Sequence, residues 1–103
     1  MPRSLTAARV RVPAEHEAEW LDVAARLAAL LKAKGQHLWV FRAESDPGLW
    51  LEFSESGDRP DHRSVAAATP EFAALEQRLR ELAIYDADAS VLWTEVPLPP
   101  KDR

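Results

Sequence analysis

Polar and apolar positions alternate from Leu5 to Val12, with Ala8, Val10 and Val12 on one side and Ala7, Arg9 and Arg11 on the other. A period of two reads as a half-buried strand. Pro13 stops it and suits the first turn of a helix. Glu15, Glu17 and Glu19 then gather where the positive end of a helix favours acids. From Trp20 the apolar residues recur at three and four, as Trp20, Val23, Ala24, Leu27, Leu30 and Leu31, which places them on one helical face. Asp22 and Arg26 are spaced to pair on the outer side. Lys32 and Lys34 fall in the last turn and Gly35 supplies the stop. The pattern predicts a first helix over about residues 14 to 34.

His37 to Ala43 and Leu49 to Ser54 predict two strands around the loop Glu44-Ser45-Asp46-Pro47-Gly48. A polar break at Gly57–Asp61 precedes a short helical piece at about 62 to 68. Thr69-Pro70-Glu71 then reads as a helix start, with Thr as cap, Pro in the first turn and an acid beside it. Phe72, Leu75, Leu79 and Leu82 form the buried stripe of this second helix, and Glu76 and Arg80 are spaced for an outer pair. Ser90 to Val96 predicts a last strand, ended by Pro97, Pro99 and Pro100. The order β-α-β-β-α-β fills the 103 residues as one domain, 1–103, with no linker. That order predicts a ferredoxin-like α+β fold: a four-stranded antiparallel sheet, order 4-1-3-2, with both helices on one face.

Composition narrows the function classes. A net charge of −4 argues against an electrostatic grip on nucleic acid or anionic lipid. No apolar run is long enough to span a bilayer, and the first residues lack a signal pattern, so a cytoplasmic protein is the expectation. The absence of cysteine removes disulfides, thiolate chemistry and Cys-ligated metals together. His16, His37 and His62 are widely separated without metal-ligand spacing, so neither a metal nor a cofactor is expected.

The sheet has one face without helices. If Val10 and Val12 face the helices, then Leu49, Leu51, Phe53, Leu92 and Val96 can join them, and pairing Ala43 with Leu49 adds Phe41 and Trp39. The opposite face then carries Arg9, Arg11, Leu38, Val40, Arg42, Trp50, Glu52, Trp93 and Glu95, with two arginines between glutamates on neighbouring strands. Such a face is too apolar to leave wet, so it predicts a homodimer packed sheet to sheet, with Arg9, Arg11, Trp50, Glu52, Trp93 and Glu95 as the dimer face. A one-residue slip would exchange the strand residues between faces.

Val12-Pro13, the Trp20–Gly35 helix, Phe41-Arg42, Asp46-Pro47-Gly48, Glu52 and Ala68-Thr69-Pro70-Glu71-Phe72 together resemble the antibiotic-biosynthesis-monooxygenase-like members of the dimeric α/β-barrel superfamily. The resemblance covers nearly the whole chain and implies a homodimer with a barrel between the sheets and a small-molecule pocket between sheet and helices. Members include cofactor-free oxygenases of aromatic polyketides and quinols, haem-degrading enzymes and proteins without known activity. The departures are specific. Ser54 stands where the family often has Trp, and Ala66 and Glu71 where it often has His. Haem-degrading members use an Asn near the first strand, and this chain contains none. A weaker similarity to rhamnose mutarotase, through Leu31-Lys32 and Gly35-x-His37, places His16 and Trp20 where that family has Tyr and His.

The expected ligand is a small aromatic or apolar molecule lined by His16, Trp20, Trp39, Phe41 and Phe72, since Ala24, Ala28 and Ala68 leave room beside the rings. Tyr85 could reach a ligand or anchor the end of the second helix. Three functions stay open: a ligand-binding barrel protein, a cofactor-independent monooxygenase or isomerase of aromatic or quinone-like substrates, and a non-catalytic dimerisation module.

Overall fold

The computed structural model describes residues 3–57 and 69–100. The expected helical piece at 62–68, His62, most of the polar break, Ala66 and Ala68 lie outside the described residues. The elements run β1 (Ser4–Arg11), α1 (Glu17–Lys32), β2 (Leu38–Ala43), β3 (Asp46–Gly57), α2 (Pro70–Leu82), β4 (Ile84–Tyr85) and β5 (Leu92–Thr94), with a 3-10 turn at Ala14–His16 leading into α1. All strand pairs are antiparallel, in the order β2-β3-β1-β4, and β5 also pairs with β1. This is the ferredoxin-like α+β arrangement.

The expected last strand, Ser90 to Val96, is shortened to β5, and an unexpected edge strand, β4, precedes it. β4 pairs with Val10 and Arg11, and β5 pairs with Ser4 to Thr6. Between them the chain turns through Asp86–Val91, held by the bonds Asp86 N–H to Arg9 O, Ala89 N–H to Asp86 O and Val91 N–H to Asp88 O. Ala89 is buried in that turn. Asp and Ala there suit a turn better than a ladder, which is why the edge strand breaks.

Both helices bury the stripes their spacing implies. Trp20, Val23, Ala24, Leu27 and Leu31 of α1 and Phe72, Leu79 and Leu82 of α2 pack with Ala8, Val10 and Val12. Gly35, at φ 76°, closes α1: its N–H bonds to Lys32 O, and Gln36 N–H bonds to Leu31 O. Those two bonds form the glycine stop that satisfies the orphan carbonyls of a helix end. Asp22 and Arg26 pair at 3.2 Å as spaced.

The hairpin pairs as expected only up to Arg42, where a register shift sets Ala43 opposite Asp46 instead of Leu49, and it faces the other way. Trp39 lies opposite Phe53 and Phe41 opposite Leu51, as symmetric loop closure implies. β1, however, pairs Arg9 with Leu51 and Val10 with Trp50. Opposed residues share a face. Leu38, Val40, Arg42, Trp50 and Glu52 therefore lie on the helix side, while Trp39, Phe41, Leu49, Leu51 and Phe53 lie outside with Arg9, Arg11 and Trp93. Leu92 and Val96 also differ from expectation, since both are exposed. The turn itself is shorter, with β3 starting at Asp46, whose carboxylate accepts Gly48 N–H at 3.1 Å and Arg11 Nη1–H at 2.8 Å. Those bonds, Arg11 first, hold the Asp46 carboxyl below the usual carboxylate range.

The arginine–glutamate ladder is replaced by other partnerships. Arg11 pairs with Asp46, and Glu95, just beyond β5, pairs with Arg3 at 3.3 Å. Glu52 turns inward. Among the described residues no helix is long and apolar enough to cross a membrane, and no group of three or more His, Cys, Asp or Glu side chains is placed to hold a metal ion.

Candidate functional site

Inside the helix-covered face, one cross-strand row reads Arg42, Trp50, Val10, Tyr85 from β2 to β4, and Glu52 stands in the next row beside Ala8. α1 lays Trp20 over this row. Trp20 is fully buried, Trp50 is 6% exposed and Glu52 7%. The Trp20 and Trp50 rings meet at a tilt, 5.3 Å between centroids. Trp20 Nε1–H donates to the Tyr85 hydroxyl at 3.3 Å, and that hydroxyl donates to Glu52 Oε1 at 2.7 Å. The result is a donor chain, Trp20 to Tyr85 to Glu52, ending on a carboxylate inside an aromatic cage.

Two cations cap the rings. The Arg80 guanidinium lies 4.7 Å from the Tyr85 ring centroid, and Arg42 lies 5.6 Å from that of Trp50. Arg80 thus covers the site rather than serving only the outer surface of α2. Burial, with the Glu52 charge and hydrogen bond adding to it, pushes the Tyr85 phenol far up from its ordinary value. Tyr85 therefore stays a donor, and the arrangement can accept a proton only at the carboxylate end.

The residues expected to line a pocket do not all converge. Trp39 and Phe41 are on the outer face, where Phe41 is 55% exposed and meets Phe53 edge-on. Phe72 is buried, but it lines a groove of about 260 Å³ with Leu30, Leu31 and Ala33 at the far end of α1. Ten residues of helix separate Leu30 from Trp20, or about 15 Å along the axis. Only Trp20 of the expected lining stands in the cluster, with His16 half-buried one turn before it.

Trp50 and Glu52, expected on the dimer face, are instead the floor of the inner site; their even numbering places them with Val10. Arg9, Arg11, Trp93 and Glu95 keep the outer side. There Trp39, Trp93, Leu5, Glu55, Arg3 and Glu95 line a depression of about 370 Å³. His37 binds Glu55 there at 2.7 Å and stacks on Trp39. The sequence signal for the inner cluster was the buried acid itself: a carboxylate under a helix needs a donor, and the chain has a single tyrosine.

No protein-family model matches the sequence, and no curated protein does either. Solved structures do share the fold. SnoaB, a cofactor-independent oxygenase from Streptomyces nogalater, superposes with a TM-score of 0.71 at 18% identity, covering 97% of this chain and 97% of that one. An antibiotic biosynthesis monooxygenase gives 0.69 at 16%, covering 96% and 100%. A Bacteroides thetaiotaomicron protein of unknown function gives 0.70 at 19%, covering 91% and 95%. The chain is similar to these along nearly its whole length, and what it shares with them is the ferredoxin-like fold of antibiotic-biosynthesis-monooxygenase-like proteins.

Proposed function

We propose, from that fold and the inner cluster, that this chain is a cytoplasmic homodimer that binds a small aromatic molecule between its sheet and helices. The observation that carries the reading is the Trp20–Tyr85–Glu52 donor chain beside the Trp50 ring. Ligand sites are mostly apolar with a few polar groups that fix orientation, and this cluster has that make-up. The dimer is supported by the outer face, where Trp39, Phe41, Leu51, Ile84 and Trp93 all stand exposed on one side of the sheet. A patch of that size marks an interaction surface.

Isothermal titration with small phenols and quinones tests the reading. At least one should bind wild type, with affinity falling about tenfold or more in Glu52→Gln and Tyr85→Phe. Absence of any aromatic binder, or unchanged affinity in both variants, overturns it and leaves the dimerisation module.

A second reading, a cofactor-independent oxygenase, is favoured by the 2.7 Å Tyr85–Glu52 bond. Glu52 would take a proton from a hydroxylated arene, whose electron-rich anion reacts with dioxygen. In a methylene-to-carbonyl oxidation one oxygen atom enters the ring and the other leaves as water, with no further reductant. Stoichiometric oxygen uptake with purified protein alone checks this. Isomerisation would instead give product without oxygen consumption.

A further inference from the structure

A groove of about 240 Å³ opens toward the hairpin end of the sheet, lined by Arg9 of β1, Phe41 to Ala43 of β2 and Leu49 to Leu51 of β3. Leu51 sits opposite both Arg9 and Phe41, so one outer row crosses three strands. The register shift between Arg42 and Ala43 falls in the groove wall, and such a shift bends a strand locally. Phe41 and Leu51 are both exposed there. The charged residues of the lining are Arg9 and Arg42, and no carboxylate joins them, although the chain as a whole carries a net charge of −4. Other described arginines have partners within the chain. Arg3, Arg11, Arg26, Arg42 and Arg78 each pair with a carboxylate, and Arg80 lies on the Tyr85 ring. Among the described residues, Arg9 is the guanidinium with neither.

We infer that this groove takes a small apolar carboxylate, its acid group on the Arg9 guanidinium and its hydrocarbon part against Phe41, Leu49 and Leu51. This site is separate from the inner aromatic one. Charge complementarity makes the occupant an anion. A guanidinium only donates, and its fork matches a carboxylate with two parallel hydrogen bonds. The apolar wall makes the rest of the molecule hydrocarbon, since ligand sites are mostly apolar with a few polar groups for orientation. Drug-sized ligands occupy roughly 300–1,000 Å³, so this groove suits something smaller. Arg11 stands on the same face two residues away, but its Nη1–H already donates to Asp46 at 2.8 Å. Arg11 therefore holds the turn, and Arg9 is left for an incoming acid. In the proposed dimer a second sheet would roof the groove and exclude water, where an ion pair is stronger than on an open surface.

The test compares cyclohexanecarboxylate with cyclohexanecarboxamide, which match in shape and differ in charge. Neither is aromatic, so the inner site is not engaged. In isothermal titration wild type should bind the acid about tenfold or more tightly than the amide. Arg9→Gln, at an exposed position, should erase that preference. Arg3→Gln, which removes an equal charge from the same strand end to end, should keep it within about twofold. The wild type gives a second readout. In ¹⁵N-labelled protein the Arg9 Nε–H resonance, assigned through its bonds to the backbone, should move with the acid and not with the amide. Equal affinities for the two compounds, or an unmoved Arg9 resonance in a saturated acid complex, overturn the inference. A loss in Arg3→Gln as large as that in Arg9→Gln overturns it too, by showing a general attraction of anions to the face. Binding of neither compound also overturns it, and hands the groove to a second copy of the chain where light scattering shows a dimer. The inner site stands or falls separately, on the phenols and quinones of its own titration.

Discussion

Tyr85 reaches across the central strand to Glu52: its hydroxyl donates to Oε1 at 2.7 Å, joining β4 to β3 over the small side chains of β1. β1 lies between those two strands in the sheet, so the ladder does not join them directly. The side-chain bond ties the two neighbours of β1 to each other, and Trp20 of α1 locks it from above.

That bond makes the protein sensitive to alkali in a traceable way. The Tyr85 phenol is raised in the folded state, chiefly by burial, whereas in the unfolded chain it ionises near pH ~10. Its contribution is therefore complete below about pH 10 and is lost as pH rises further, by about 1.4 kcal/mol per pH unit. Urea denaturation across the alkaline range should show this slope, and Tyr85→Phe should lack it. Since Tyr85 is the only tyrosine, tyrosinate absorbance should appear only together with unfolding.

At neutral pH the same variant loses one donor to a buried carboxylate and one acceptor for Trp20. We expect Tyr85→Phe to lower unfolding stability by about 1–3 kcal/mol, read from urea midpoints at constant slope.

Phe41→Glu or Trp93→Glu should separate the proposed dimer without unfolding the protomer, because both side chains stand in solvent in the single chain. Light scattering at micromolar concentration should give a dimer for wild type and a monomer for each variant. A stable sheet-to-sheet pairing buries roughly 800 Å² per partner. A wild-type monomer at that concentration would remove the dimer from the functional reading.

Much of this fold is legible in the chain. Proline and glycine bracket the helices, the three-and-four spacing gives their buried stripes, and symmetric closure around Glu44–Gly48 gives the Phe41–Leu51 and Trp39–Phe53 pairs. The side of the hairpin that meets the helices is not legible. Leu49, Leu51 and Phe53 at odd positions compete with Leu38, Val40 and Trp50 at even ones, so alternation states no preference. Distant residues decide it, Trp20 by packing on Trp50 and Tyr85 by bonding Glu52. The same inversion moves Trp39 and Phe41 of the expected pocket lining to the outside and Trp50 and Glu52 of the expected dimer face to the inside.

Gly35→Ala tests the helix stop by itself. An added Cβ meets nothing within 4 Å, so no clash contributes. The cost is that of holding an L-residue at φ 76°, and it should be about 1 kcal/mol. Thermal unfolding measures it, and Gly35→Asn should recover part of it, since Asn tolerates that region better.

The four tryptophans divide evenly between the two faces of the sheet. Trp20 and Trp50 are sealed under the helices, and Trp39 and Trp93 stand outside. The protein therefore contains two separate optical reporters. The inner pair should emit at shorter wavelength and resist aqueous quenchers, and the outer pair should yield to them. Replacing Trp39 and Trp93 by Phe leaves an emission that senses only the interior, while Trp50→Phe and Trp20→Phe leave one that senses only the outer surface. Occupation of the inner site and burial of the outer face can then be followed independently, in the same cuvette and without an attached dye.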